Sequence, residues 1–96
     1  MLKIHKHHQA EQDLLNIWLY TFENWGITQA DKYLDQINIA LNNIASIPDV
    51  GVSIDSIRKG YKKYQINEHI LFYTVKESTI HVIRILGNDM NYLNHL

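Results

Sequence analysis

Apolar residues repeat at three- and four-residue steps through the first half of this chain and at two-residue steps through most of the second. Between Ala10 and Trp25 they fall on Leu14, Trp18, Thr21 or Phe22, and Trp25, the period of an amphipathic helix. Glu11 and Asp13 lie near its start, where the helix dipole favours carboxylates. Gly26 follows as a residue able to end it. Trp18, Phe22 and Trp25 share the spacing of Leu14 and are expected in the core. A second helix starts at Thr28, where Thr28 to Asp31 reads as a variant capping box. Its apolar face runs Ala30, Tyr33, Leu34, Ile37, Leu41, Ile44 and Ile47, with Asn38, Asn42 and Asn43 opposite. Pro48 cannot continue it. Two such helices joined by two or three residues make a helical hairpin.

Leu2 to His7, ahead of the helices, reads as a short strand with Leu2 and Ile4 inward. Asp49 to Ser56 is a loop rich in turn formers. Ile57–Ile66, His69–Val75 and Thr79–Leu86 then read as strands joined at Asn67-Glu68 and Lys76-Glu77-Ser78, an antiparallel meander. The last two are apolar on both sides, as in central strands covered at least partly on both faces. Strict alternation puts Ile83 and Ile85 against the helices and Arg84 on the open face with Val82 and Leu86. Asn91 to Leu96 has room for one short helical turn. The expected fold is α+β, in the order β-α-α-β-β-β, with the helical hairpin packed on a small antiparallel sheet in one domain spanning residues 1–96.

Composition narrows the function. Hydrophobic residues make up 46% of the chain and charged ones 20%, ordinary globular values. With no cysteine, disulfides and thiolate metal sites are excluded, and a reducing cytoplasm suits the chain. No apolar run is long enough to cross a membrane, and MLKIHKHH has no hydrophobic signal region. The net charge is −1. Residues 1–48 carry three lysines against five acids and residues 49–96 six basic residues against five acids. Proteins that live on nucleic-acid backbones usually carry a clear basic excess, so direct nucleic-acid binding is expected to be weak or absent.

Several residues invite chemical readings. His5, His7 and His8 suggest a metal, but a zinc site needs three or four converging ligands and the sequence specifies no further partner; neither metal nor cofactor is expected. Lys62 and Lys63 suit a solvated strand edge, whereas Arg58, beside Tyr61, suits contact with a partner. Arg84 stands among apolar neighbours, and an unpaired buried guanidinium is costly. It therefore either meets a partner chain on the open face or pairs internally with Asp55, Glu68 or Asp89.

Three blocks, in order, resemble the ParE toxin family. Ile17-Trp18-Leu19-Tyr20-Thr21 with Trp25-Gly26 is similar to "IWxYT…WG". Ile57-Arg58-Lys59-Gly60-Tyr61 with His69-Ile70-Leu71-Phe72-Tyr73 is similar to "IRxGY…HxIFY". Arg84-Ile85-Leu86, Met90 and His95-Leu96 are similar to "RIL…MD…HL". Together they cover nearly the whole chain. The resemblance implies the toxin of a type II toxin–antitoxin pair that poisons DNA gyrase without catalysis and is neutralised by a ParD-like antitoxin. It leaves open a toxin homodimer or an antitoxin-bridged hetero-oligomer. Taken with the apolar open face around Val82 and Leu86, the antitoxin- or target-binding residues expected are Arg58, Tyr61, Tyr73, Val82, Arg84, Leu86 and His95. In many ParE sequences His-x-Arg stands between the Leu and the Met of the third block; here Gly87-Asn88-Asp89 stands between Leu86 and Met90, and Asn91 replaces the usual Asp. Related RelE-type toxins cleave ribosome-bound mRNA, chemistry that needs a base, phosphate-clamping cations and an acid. Gly87 stands where such nucleases carry a catalytic tyrosine or histidine, so mRNA cleavage is the lesser alternative. A degenerate toxin kept as an antitoxin-binding module is another.

Overall fold

The first helix begins at His8 and ends at Gly26, whose backbone (φ 89°, ψ 176°) lies in a region essentially reserved for glycine. This one residue donates its N–H to the Phe22 carbonyl at 2.8 Å and accepts from the Ala30 N–H at 3.1 Å, so it closes one helix and opens the next. The computed structural model describes all 96 residues. Its elements are β1 (Lys3–Lys6), α1 (His8–Trp25), α2 (Ile27–Ser46), β2 (Val52–Ser53), β3 (Tyr61–Ile66), β4 (His69–Lys76), β5 (Thr79–Gly87) and a 3-10 turn at Tyr92–Asn94. No helix is long and apolar enough to cross a membrane.

The helical hairpin forms as the periodicity predicts, with three corrections. The Thr28–Asp31 capping box is not made: α2 starts one residue earlier, without a side-chain cap, and Asp31 instead accepts from the Trp18 indole N–H at 2.9 Å. Phe22 and Trp25 are 43% and 65% exposed. The stripe of α1 that meets the core is Ala10, Leu14, Ile17 and Thr21, and the Trp18–Phe22–Trp25 stripe lies beside it. Trp18 is half-buried and stacks on Phe22 at 5.3 Å. Ile47 is 61% exposed because its backbone has already left the helix (φ −133°, ψ 80°) and the helical period no longer governs where it points. On α2 the core is Ala30, Ile37, Ala40, Leu41, Ile44 and Ala45, with Asn38, Asn42 and Asn43 exposed as expected.

The five strands form one sheet in the order β1-β5-β4-β3-β2. The expected meander of β3, β4 and β5 is present, and β1 adds a parallel edge on β5, with Ile4 opposite Ile80 and Lys6 opposite Val82. Glu77 and Ser78 (φ 53° and 60°) turn β4 into β5, and two positive φ values in succession mark the tight hairpin turn that matches strand twist. Ile57 to Gly60 do not belong to β3. Both Ile57 and Arg58 donate their N–H groups to the Ile54 carbonyl, Asp55 accepts from the Gly60 N–H at 2.8 Å, and Gly60 takes φ 83°. The result is a turn that places Arg58 outside the sheet.

A bulge alters which side chains face the helices. Phe72 pairs with Arg84 and Tyr73 with Val82, so Ile83 is the extra residue. Strict alternation fails there. Ile80, Val82 and Ile85 join Leu71 and Tyr73 in the core under the helices, whereas Leu86 and Phe72 face the opposite side. Val82 is therefore not a neighbour of Arg84 and Leu86 on the open face, and Ile83 does not share the helix side with Ile85. The opposite face is not bare: Ile54, Tyr61, Ile70, Tyr92 and Leu96 close over Phe72 and Leu86. The expected terminal turn, capped by Asn91 Oδ1 accepting from the Leu93 N–H at 3.1 Å, carries Tyr92 there.

Tyr73, suggested by the sequence as a binding residue, is fully buried. Its hydroxyl donates to the Pro48 carbonyl at 2.8 Å and accepts from the Gly51 N–H at 2.9 Å, tying the α2–β2 connection to the sheet. Tyr73→Phe leaves both groups without this partner and is expected to cost about 1–3 kcal/mol, read as a lower urea midpoint. Gly51→Ala is expected to destabilise by a similar amount, about 1–3 kcal/mol. A Cβ at that position would stand 2.5 Å from the Tyr73 hydroxyl and 3.0 Å from the Lys63 carbonyl.

Candidate partner-binding surfaces

The remaining sequence-suggested residues gather around the C-terminal segment. Arg58 donates from Nη1 to the Leu96 carbonyl at 2.9 Å, and its guanidinium carbon lies 5.5 Å from the centre of the Tyr61 ring, within cation–π range. Arg84 reaches the His95 carbonyl at 3.5 Å. Leu86 is buried beneath this cover. Lys63 adds a second cation 5.9 Å above Tyr92. Arg58, Tyr61, Arg84, Leu86 and His95 thus share one face, while Tyr73 and Val82 belong to the core on the other.

Arg84 pairs with Asp13 of α1, rather than with Asp55, Glu68 or Asp89. Its Nε lies 2.8 Å from Oδ2 and its Nη2 2.9 Å from Oδ1, a bidentate pair with both side chains at most 15% exposed. The same carboxylate accepts the Ile85 N–H at 2.9 Å. The sheet explains why. β1 pairs with β5 only as far as Val82, and the His7 N–H bonds the Val82 carbonyl at 3.0 Å; beyond that point β5 has an open edge whose polar groups need partners. The hydrogen bonds to Asp13 hold the guanidinium above its usual pKa, so it stays charged. Nothing local in the sequence marks Asp13, 71 residues away, as the partner.

A cleft of about 840 Å³ opens beside this pair, lined by Tyr20, Trp25, Tyr33, Glu68, His69 and Asp89 among others. Tyr33 Oη lies 2.6 Å from His69 Nδ1 and donates to the Ile66 carbonyl at 3.2 Å. Burial pushes the Tyr33 phenol up. It also pushes the His69 imidazole down, although Glu68, Asp89 and Asp13 pull the other way. Near neutral pH the pair is uncharged, and the charges beside it are carboxylates.

The third surface is apolar. Leu15, Leu19 and Phe22 are exposed on α1, with Tyr20, Trp25 and Ile27 close in sequence. Exposed apolar residues at helical spacing are a strip that this chain leaves unpartnered. A signal for it was available: α1 carries more apolar residues than one face can bury, and the surplus must face outward.

Two outcomes follow from these contacts. Asp13→Ala strands a largely buried guanidinium and an edge N–H; the expected loss is about 3 kcal/mol, measured by urea denaturation. A double-mutant cycle with Arg84→Ala should show strong coupling. His7 is also held below its usual pKa, by burial and then by His81 and His5. For both His7 and His69 the unfolded chain binds the proton more tightly, so their contribution is complete above about pH 6.5 and is lost as pH falls through their lower folded values. Urea midpoints should therefore drop as pH falls below about 6.5.

Comparison with known proteins agrees with this architecture. Residues 4–92 match the family described as the ParE toxin of the type II toxin–antitoxin system parDE. A protein named Toxin ParE1 from Mycobacterium tuberculosis is 40% identical over 83 residues, covering 85% of each chain. Toxin ParE1 from Caulobacter vibrioides is 33% identical over 88 residues, covering 92% of this chain and 91% of its own. In fold, the chain is similar to a structure titled as the chromosomal ParDE TA system from P. aeruginosa, with TM-score 0.78 at 19% identity over 91% of this chain and 96% of that one. It is also similar to the YoeB-YefM complex from Staphylococcus aureus, with TM-score 0.60 at 22% identity over 92% and 98%. The chain belongs to the ParE toxin family of type II toxin–antitoxin systems.

Proposed function

We propose that this ParE-family toxin inhibits DNA gyrase by protein–protein contact in the cytoplasm and is neutralised by a ParD-like antitoxin docked on the exposed apolar strip of α1. The observation that carries the antitoxin reading is that strip: Leu15, Leu19 and Phe22 stay exposed although the chain has two formed cores. Val82 and Leu86 are buried, which supports reading the docking surface on the helix rather than on the sheet. A non-catalytic mode is supported by how the cations are committed. Arg84 is neutralised by Asp13, Arg58 holds the C-terminal carbonyl, and His69 is bound to Tyr33 among carboxylates. None of these arrangements pairs a free base with a free phosphate clamp.

A gyrase supercoiling assay tests the target. Added toxin should block supercoiling and trap cleaved DNA; full supercoiling at toxin excess refutes the gyrase reading. Ribosome-bound mRNA in a translation extract should stay intact, and cleavage would shift the function to the RelE type. Normal growth on toxin induction without antitoxin would indicate a degenerate, antitoxin-binding module. The product of the neighbouring gene should co-purify with the toxin. Leu19→Asp should weaken that complex about tenfold or more, as loss of a central apolar contact does, while leaving the melting temperature of the free toxin nearly unchanged.

A further inference from the structure

We propose that His5, His7 and His81 form a binding site for one divalent transition metal ion, of zinc's borderline character, on the outer face of the β1–β5 pair. The parallel register sets His5 directly opposite His81. His7 is two residues on, on the same side of the strand, and its own N–H bonds the Val82 carbonyl at 3.0 Å, which fixes the backbone at that end. His7 Nε2 and His81 Nδ1 are hydrogen-bonded at 3.1 Å, a contact that a shared ion would replace. Two nitrogens sharing a tetrahedral zinc at ordinary bond lengths lie about 3.4 Å apart, so this pair is already close to the ligating separation. The ring centres are 5.2 Å apart for His5 and His7, 5.7 Å for His5 and His81, and 5.3 Å for His7 and His81. Three imidazoles around one tetrahedral ion have centres separated by about 5 Å.

In the structure as it stands the three rings do not converge into a ready coordination set. The adjustment falls on His5, which is exposed on an edge strand and free to turn. Water would hold the fourth position. Imidazole donors select zinc, nickel or copper over magnesium or calcium. The cluster also lacks what a structural ion pair would need: no side-chain hydrogen bond or ion pair links any of the three rings to a carboxylate. The sequence offered His5, His7 and His8; the fold replaces His8, at the start of α1, with His81 from 74 residues beyond His7.

Titrating the purified chain with Co²⁺ and reading the visible bands of four-coordinate cobalt tests the site, with Zn²⁺ calorimetry as the second measurement. One ion per chain is expected. His7→Ala and His81→Ala should each weaken binding tenfold or more, whereas His8→Ala should leave it unchanged. Zn²⁺ should raise the melting temperature of the wild type and of H8A but not that of H81A, whose metal-free melt reports whether it folds. No binding overturns the proposal, and so does an equal loss in H8A, which would mean a merely histidine-rich N-terminus. Unaltered binding in a folded H81A, or in a folded H7A, overturns it as well.

Discussion

Strand β5 is paired along one side throughout, but on the other side β1 leaves it at Val82. Everything beyond that point needs a replacement partner, and Asp13 supplies it. One carboxylate takes Arg84 Nε, Arg84 Nη2 and the Ile85 N–H. Because Asp13 sits on α1, this contact sets where the helix crosses the sheet. It forms one wall of the cleft and keeps the nearby guanidinium from solvent. The bulge at Ile83 belongs to the same arrangement. Without the extra residue, Val82 and Ile85 would point to opposite faces; with it, both reach the core while Arg84 and Leu86 turn outward.

Two cores follow from that parity. The larger is the ordinary interface of helices and sheet. The smaller, around Phe72 and Leu86, is closed by the turn before β3 and by the C-terminal residues. Arg58 bridges those two covers through the Leu96 carbonyl. A 96-residue chain that spends apolar side chains on both faces of its sheet still leaves Leu15, Leu19 and Phe22 outside. Burying them requires a second molecule, because α1 and α2 already present their best stripes to the sheet.

Local periodicity made the helical hairpin and the β3–β5 meander legible, since both are written at spacings of a few residues. What it could not show depends on distant partners. The parallel pairing of β1, the Asp13–Arg84 contact and the His7–His81 contact all join residues more than 70 positions apart. The bulge had no local signature, because Ile83 is one apolar residue in an apolar run. The false strand at Ile57–Gly60 is different. Asp55 and Gly60 are turn formers, and their hydrogen bond was open to inference from sequence. The misplaced aromatic stripe had a cue as well, in the width of the apolar arc on α1. Of the suggested surface, Arg58, Tyr61, Arg84, Leu86 and His95 do converge, but chiefly on the protein's own C-terminal segment.

The Gly87–Asp89 turn gives that surface its electrostatic sense. Where the family resemblance leads one to expect His-x-Arg, this chain builds a hydrogen-bonded closure. The Asn88 N–H donates to the Glu68 carbonyl at 2.9 Å, Asn88 Oδ1 accepts from Gln65 at 2.6 Å, and its amide donates to the Asn67 carbonyl at 3.2 Å. Cationic side chains there would have stood at the mouth of the cleft. Instead the mouth carries Asp89 and Glu68 beside the aromatic rings of Tyr20 and Trp25. Carboxylates at that spacing repel a phosphate backbone and favour a cationic or apolar partner side chain. Under the proposed function, a cleft mouth of that charge suits a protein partner better than a nucleic acid.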